Sequence, residues 1–141
     1  MKLAVSTWNN LVAPVFDVSG RILLVQISAN RLIPLEHKEI SGNDNLAGIR
    51  RLSSLGMEAL ICGAISRLCH DILTTWGIQV ISYITGPWDS VLQALVEGRL
   101  ESPEFCMPGC PGYMQSHNRK AVKYVLSAME FMNTDTIVKE S

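Results

Sequence analysis

From Ala59 onward the chain twice repeats one pattern: a short strand-type apolar run, a glycine break, then an amphipathic helical stripe. Ala59-Leu60-Ile61-Cys62 runs into Gly63, and Ile65, Leu68, Cys69, Ile72, Leu73 and Trp76 then recur at the i, i+3, i+4, i+7 spacing of one helix face. After Gly77 the cycle restarts with Ile78-Gln79-Val80-Ile81-Ser82-Tyr83-Ile84, followed by Trp88, Val91, Leu92, Leu95 and Val96 up to Gly98. Successive strand and helix units of this length make parallel strands joined by crossover helices, which cover the sheet.

The first forty residues have a different rhythm. Leu3-Ala4-Val5 and Ile22-Leu23-Leu24-Val25-Gln26-Ile27 are β-rich runs between turn residues. The short Leu11-Val12-Ala13-Pro14-Val15-Phe16 run and the strand 31–40 each contain a proline, Pro14 and Pro34, which suits an edge or an irregularity. After Ser41-Gly42-Asn43-Asp44 the period becomes helical, with Leu46, Ile49, Leu52 and Leu55 on one face and Gly56 as the stop. The expected fold class is therefore α/β, a mixed sheet of about five to six strands flanked by helices.

From Arg99 to Ser116 the pattern fails, because Pro103, Pro108, Gly109, Pro111 and Gly112 suit neither element. Ser116 can cap a last helix with Val122, Val125, Leu126, Met129 and Met132 on one face. This divides the chain into a domain over 1–100, a Cys/Pro/Gly-rich loop over 101–116, a helix over 117–133 and a flexible tail over 134–141. With 48% hydrophobic and 18% charged residues in 141, the chain supports one globular core. A net charge of -1 gives no general field for nucleic acid or an anionic membrane. The apolar run in Met1–Asn10 is too short for a signal peptide, and no stretch reaches a membrane span, so the expected location is the cytoplasm. In a reducing compartment Cys62, Cys69, Cys106 and Cys110 are core residues, metal ligands or redox thiols rather than structural disulfides.

The sharpest local signal is Phe105-Cys106-Met107-Pro108-Gly109-Cys110-Pro111-Gly112-Tyr113. Met107-Pro108-Gly109-Cys110 fits a type II turn and Cys110-Pro111-Gly112-Tyr113 a second, so the chain doubles back and brings two thiols close. The pair reads as two thiolate ligands of a metal or cluster, as a redox pair, or as two free cysteines in a linker. Cys62 stands where a strand meets a helix start. Open α/β sheets place ligands there, and Gly63, Ala64 and Ser66 would offer N–H groups to an anionic cluster; a buried cysteine in a tight turn is the plain alternative. Cys69 falls on the apolar stripe and reads as core, His70 as a solvated surface residue, His117 as the start of the last helix, and His37 as a strand residue without a partner. The three tryptophans read as packing residues, two of them lying on apolar stripes. Phosphate-loop, dinucleotide and serine-elbow motifs are missing, and Asp17, Asp44, Asp71 and Asp89 are scattered, so the chain reads as a non-enzyme.

Lys2-Leu3-Ala4-Val5-Ser6-Thr7, Val12-Ala13-Pro14-Val15-Phe16-Asp17-Val18-Ser19 and Arg21-Ile22-Leu23-Leu24-Val25 together resemble the opening of the dinitrogenase iron–molybdenum cofactor biosynthesis family, the NifX and NifB C-terminal type domain. Ala59-Leu60-Ile61-Cys62-Gly63-Ala64-Ile65-Ser66, Trp76-Gly77-Ile78-Gln79-Val80 and Ala94-Leu95-Val96-Glu97-Gly98-Arg99-Leu100 continue the resemblance in order. It implies a three-layer ribonuclease H-like motif without nuclease activity. It also implies a carrier of iron–molybdenum cofactor, its precursors or other metal-sulfide clusters, working with metallocofactor assembly or acceptor proteins, with a homodimer open. Many members carry a His-Phe-Gly whose histidine is the ligand; here Val15-Phe16-Asp17 stand in its place. The chain is more similar to the Pro-Val-Phe-Asp branch. The candidate cofactor-binding residues are Asn9, Asp17, Cys62, Gly63, Ala64 and Ser66, with Cys106, Cys110 and Cys62 as metal ligands. A cluster-free interaction or regulatory module and a thiol-redox protein using Cys106 and Cys110 are the other readings.

Overall fold

The computed structural model describes residues 1–18, 20–28, 31–40, 45–110 and 112–140. Its strands are β1 (Lys2–Trp8), β2 (Leu11–Val12), β3 (Arg21–Ser28), β4 (Arg31–Glu39), β5 (Ala59–Ile61) and β6 (Gln79–Ile81); its helices are α1 (Asn45–Ser54), α2 (Arg67–Thr75), α3 (Trp88–Val96) and α4 (Gly112–Glu140). The sheet runs β4-β3-β1-β5-β6, with β2 paired to the end of β1. β3 is antiparallel to both β1 and β4, whereas β5 is parallel to β1 and β6 to β5. This is the order and polarity of a ribonuclease H-like motif.

The two-residue period of the strands decides which helices cover which face. Leu3, Val5, Leu23, Val25, Ile27, Ala59, Ile61 and Ile81 point to one side, where α3 contributes Val91, Leu92 and Leu95 and α4 contributes Ala121, Val125 and Met129. Their neighbours Ala4, Ile22, Leu24, Leu60 and Val80 point to the other, against Ile49 and Leu52 of α1 and Cys69 and Leu73 of α2. The central strands are buried on both faces, hence their continuous apolar runs. Each large aliphatic side chain so enclosed contributes about 1.5–3 kcal/mol relative to leaving it in water.

Pro34 lies on the edge strand β4 opposite Val25, where the register slips by one residue, so its missing N–H costs no central ladder bond. The other edge, β6, is closed by a side chain. Asn118 of α4 accepts from the Ser82 N–H at 2.9 Å and donates to the Ser82 carbonyl at 2.8 Å, standing in for a neighbouring strand.

Several boundaries differ from the sequence reading. The strand at Leu11 ends at Val12, and Phe16–Val18 form a 3-10 turn after Pro14. The loop expected over 101–116 holds a 3-10 turn at Pro103–Phe105 and an isolated bridge between Ile84 and Cys106. Gly112, expected in a second turn, instead opens α4, whose helical backbone runs through the expected tail to Glu140. Pro111 of that second turn and the 41–44 helix start lie outside the described residues. Trp8 and Trp76 are corrections: Trp8 is more than half exposed and Trp76 nearly half, because Trp8 is the last residue of β1 and Trp76 the C-cap of α2. Trp88 packs on the core, edge-on to His37 at 6.2 Å, which gives that histidine the partner it was expected to lack.

Candidate functional site

Past the carboxyl ends of β1, β5 and β6 the chain does not leave the sheet. It continues as a second row of hydrogen-bonded segments. Ala13 N–H donates to the Ser6 carbonyl, Ala64 N–H to Pro14, Phe16 N–H to Ala64, Tyr83 N–H to Gly63 and Met107 N–H to Tyr83, all at 2.8–2.9 Å. Gly63 is the tightest point: a Cβ there would stand 2.5 Å from the Pro14 carbonyl oxygen, so only glycine lets the two backbones meet. Tyr83 turns the last corner with φ 61°, a conformation uncommon for a bulky residue and held here by hydrogen bonds on both sides.

Two of the three N–H groups expected to receive a cluster are already bonded within the protein. Ala64 N–H is bonded to Pro14, and Ser66 N–H donates to Asp17 Oδ1 at 2.9 Å. Ser66 Oγ in turn caps α2 by accepting from Cys69 N–H at 3.2 Å. The anion at the start of α2 is thus the protein's own carboxylate, whose Oδ2 also accepts from Cys69 Sγ at 3.4 Å. Cys62 is fully buried in the α1/α2 core; burial above all, then Asp17 and Cys69, pushes its thiol far above the ordinary range. Cys69 packs in that core as expected, its thiol raised first by burial.

Cys106 and Cys110 lie elsewhere, in a cleft of about 420 Å³ beyond the end of β6, lined also by Tyr83, Leu100, Glu101, Gln115 and Arg119. Gly109 has φ 81°, as the first type II turn requires, and Cys106 is exposed while Cys110 is half-buried. Neither is in a disulfide. Cys106 Sγ faces the Leu100 and Glu101 carbonyls at 3.9 and 3.7 Å, and Gln115 donates to the Cys110 carbonyl at 3.2 Å. Partial burial raises both thiols, joined by Glu101 for Cys106 and by Cys106 for Cys110. Arg119 stands at the rim, 3.7 Å from Glu101.

Asn9 belongs to a third place. With φ 55° it makes the turn between β1 and β2, and it lines a separate cleft of about 590 Å³ with Thr7, Trp8, Val15 and Val18. Val15 brings no ligand atom there. The predicted set is therefore split: Asn9 in one cleft, Asp17, Cys62, Gly63, Ala64 and Ser66 in the packed junction under α2, and Cys106 with Cys110 in another cleft. Among the described residues no three His, Cys, Asp or Glu side chains converge to hold a metal ion alone.

His70 is a further correction: it is buried, because it faces α4 rather than solvent, and meets the His117 ring edge-on with centroids 4.6 Å apart. Burial, His70 and Lys120 push His117 below the ordinary histidine value. Tyr83, Asn118, Arg119 and this histidine pair carried no sequence signal beyond the period of the strand or helices they belong to. What singles them out is contact between distant segments.

No family profile matches the sequence, and neither does any curated protein. Solved structures do match. The crystal structure of PH0822 superposes with a TM-score of 0.66 at 19% identity, covering 70% of this chain and 91% of that one. A protein of Methanocaldococcus jannaschii, provisionally named a dinitrogenase, gives 0.56 at 21%, covering 79% and 97%. A Thermotoga protein provisionally named NifB gives 0.53 at 18%, covering 70% and 89%. The chain shares their fold. That is the fold expected from the NifX-type resemblance, and between a fifth and a third of this chain lies outside the matches. No described helix is long and apolar enough to cross a membrane.

Proposed function

We propose that the chain is a non-catalytic carrier of a metal-sulfide cluster: iron–molybdenum cofactor, one of its precursors, or a related iron- or copper-sulfide cluster. The observation that carries the reading is that Cys106 and Cys110, neither of them in a disulfide, line one open cleft beyond the end of β6. The likeness in fold to proteins named for dinitrogenase and NifB supports it. The donor set fits a cluster better than a single structural ion. Two soft thiolates supply half of the usual four ligands, and inorganic sulfide or a second copy of the chain supplies the rest. Arg119 at the rim would offset the negative charge of such a cargo. Cys62, sealed in the core, is left out of the ligand set.

Thiols raised above their ordinary value keep their protons at neutral pH, which slows disulfide chemistry and weakens metal uptake alike. Metal displaces the thiol protons on binding, so uptake strengthens with rising pH. The cargo would pass between assembly and acceptor proteins in the cytoplasm, and the exposed apolar rim of Trp8, Val15 and Val18 favours a docking role for the cleft beside β1. Anaerobic reconstitution with iron, sulfide and molybdate, followed by metal analysis, tests the carrier reading. Stoichiometric metal with visible absorption is expected; a colourless, metal-free protein sinks it.

A further inference from the structure

The geometry points to a second, independent metal site: His70 of α2 and His117 of α4 form a two-imidazole seat for one divalent first-row ion of the zinc, nickel and copper group. Three observations carry this. Both Nε2 atoms are buried and have no hydrogen-bond partner, in side chains that pack against each other. His70 is only 6% exposed, so an unpartnered ring nitrogen there is costly and calls for an occupant. The ring spacing also fits. Two imidazoles sharing one ion at about 2.0–2.1 Å, with an angle of about 90–110° between the bonds, have centroids about 4.5–5.2 Å apart. The observed separation is 4.6 Å with the rings inclined at 73°.

The third observation is Asp71, whose Oδ1 lies 3.6 Å from His70 Nδ1. That is just beyond hydrogen-bond distance, but an ion on Nε2 would favour the proton on Nδ1 and draw the carboxylate into the contact that orients metal-bound histidines. No third protein ligand joins the pair among the described residues, so water completes the coordination. An ion there would staple the first turns of α4, which follow the Cys106–Cys110 turn, onto α2. Imidazole nitrogen suits this ion group, whereas the thiol cleft suits softer cargo.

The test uses the full chain carrying Cys106→Ser and Cys110→Ser, titrated with Zn²⁺ by calorimetry and with Cu²⁺ by electron paramagnetic resonance. One Zn²⁺ per chain with Kd below roughly 100 μM, and a Cu²⁺ spectrum showing two nitrogen ligands, are the expected results. His117→Gln abolishes both. Asp71→Asn, at an exposed position, weakens Zn²⁺ roughly tenfold to a hundredfold while leaving the melting temperature of the metal-free protein unchanged. Binding that survives His117→Gln, or that disappears with the two cysteines, overturns the site, as does a chain that takes up no Zn²⁺. Should His70→Gln fail to fold, His117→Gln and Asp71→Asn still decide the matter.

Discussion

Replacing Gly63 with alanine probes the junction that organises the whole carboxyl end of the sheet. A Cβ at that position would lie 2.5 Å from the Pro14 oxygen and 2.8 Å from the Pro14 carbonyl carbon, well inside van der Waals contact, and backbone cannot rotate aside as a side chain can. The 13–16 segment must move. Its movement strains or breaks the Ala64 N–H to Pro14 and Phe16 N–H to Ala64 bonds, at 2.9 and 2.8 Å. Two backbone bonds at about 0.5–1.5 kcal/mol each, with overpacking at about 1–3 kcal/mol, give a loss of about 2–6 kcal/mol. At an unstrained open site the same change would stabilise by about 0.4–1 kcal/mol, so the sign alone is informative. Urea unfolding followed by tryptophan fluorescence and far-ultraviolet circular dichroism measures it. A neutral or stabilising Gly63→Ala refutes the close-approach reasoning. Metal uptake by the folded variant, unchanged from wild type, would agree with Gly63 being architectural rather than part of a cluster cradle.

Three other perturbations follow from the same geometry. Asp17→Ala removes the acceptor of Ser66 N–H and Cys69 Sγ at the start of α2 and should cost about 1–2 kcal/mol in chemical denaturation; a change below a few tenths would contradict that role. Asn118→Ala strips both partners from the Ser82 backbone, with an expected loss of about 2–3 kcal/mol and faster hydrogen exchange at the Ser82 amide, whereas unchanged exchange would argue against edge closure. Cys62 titrates far above its ordinary value of 9.0 in the folded state, so the native chain keeps a proton that the unfolded chain releases; stability is full below pH 9 and falls as pH climbs beyond it. Cys62→Ala should flatten that alkaline slope, and an equally steep slope in the variant would assign it elsewhere.

The strands and helices were legible because burial on both faces writes itself as apolar runs, and burial on one face as a 3.6-residue stripe. Ala59–Ile61, Arg67–Thr75 and Trp88–Val96 came through within a few residues. The type II turn at Gly109 was legible for the same local reason. The site was harder, since its parts are tertiary. Gly63 announces a close approach but not what approaches, and the backbone that lies against it is that of Ala13 and Pro14. His70 sits just off its helix stripe and looks solvated until α4 covers it. Cys62 and Cys106 are both cysteines near strand ends, yet one faces a closed core and the other an open cleft.

The central claim is that Cys106 and Cys110 hold the cargo. It is tested most directly by reconstituting wild type and the Cys106→Ser, Cys110→Ser variant side by side without oxygen, then measuring iron, molybdenum and sulfide per chain. Metal and sulfide are expected in the wild type and are lost from a variant that is still folded by circular dichroism. A variant that keeps its full metal and sulfide content would contradict it.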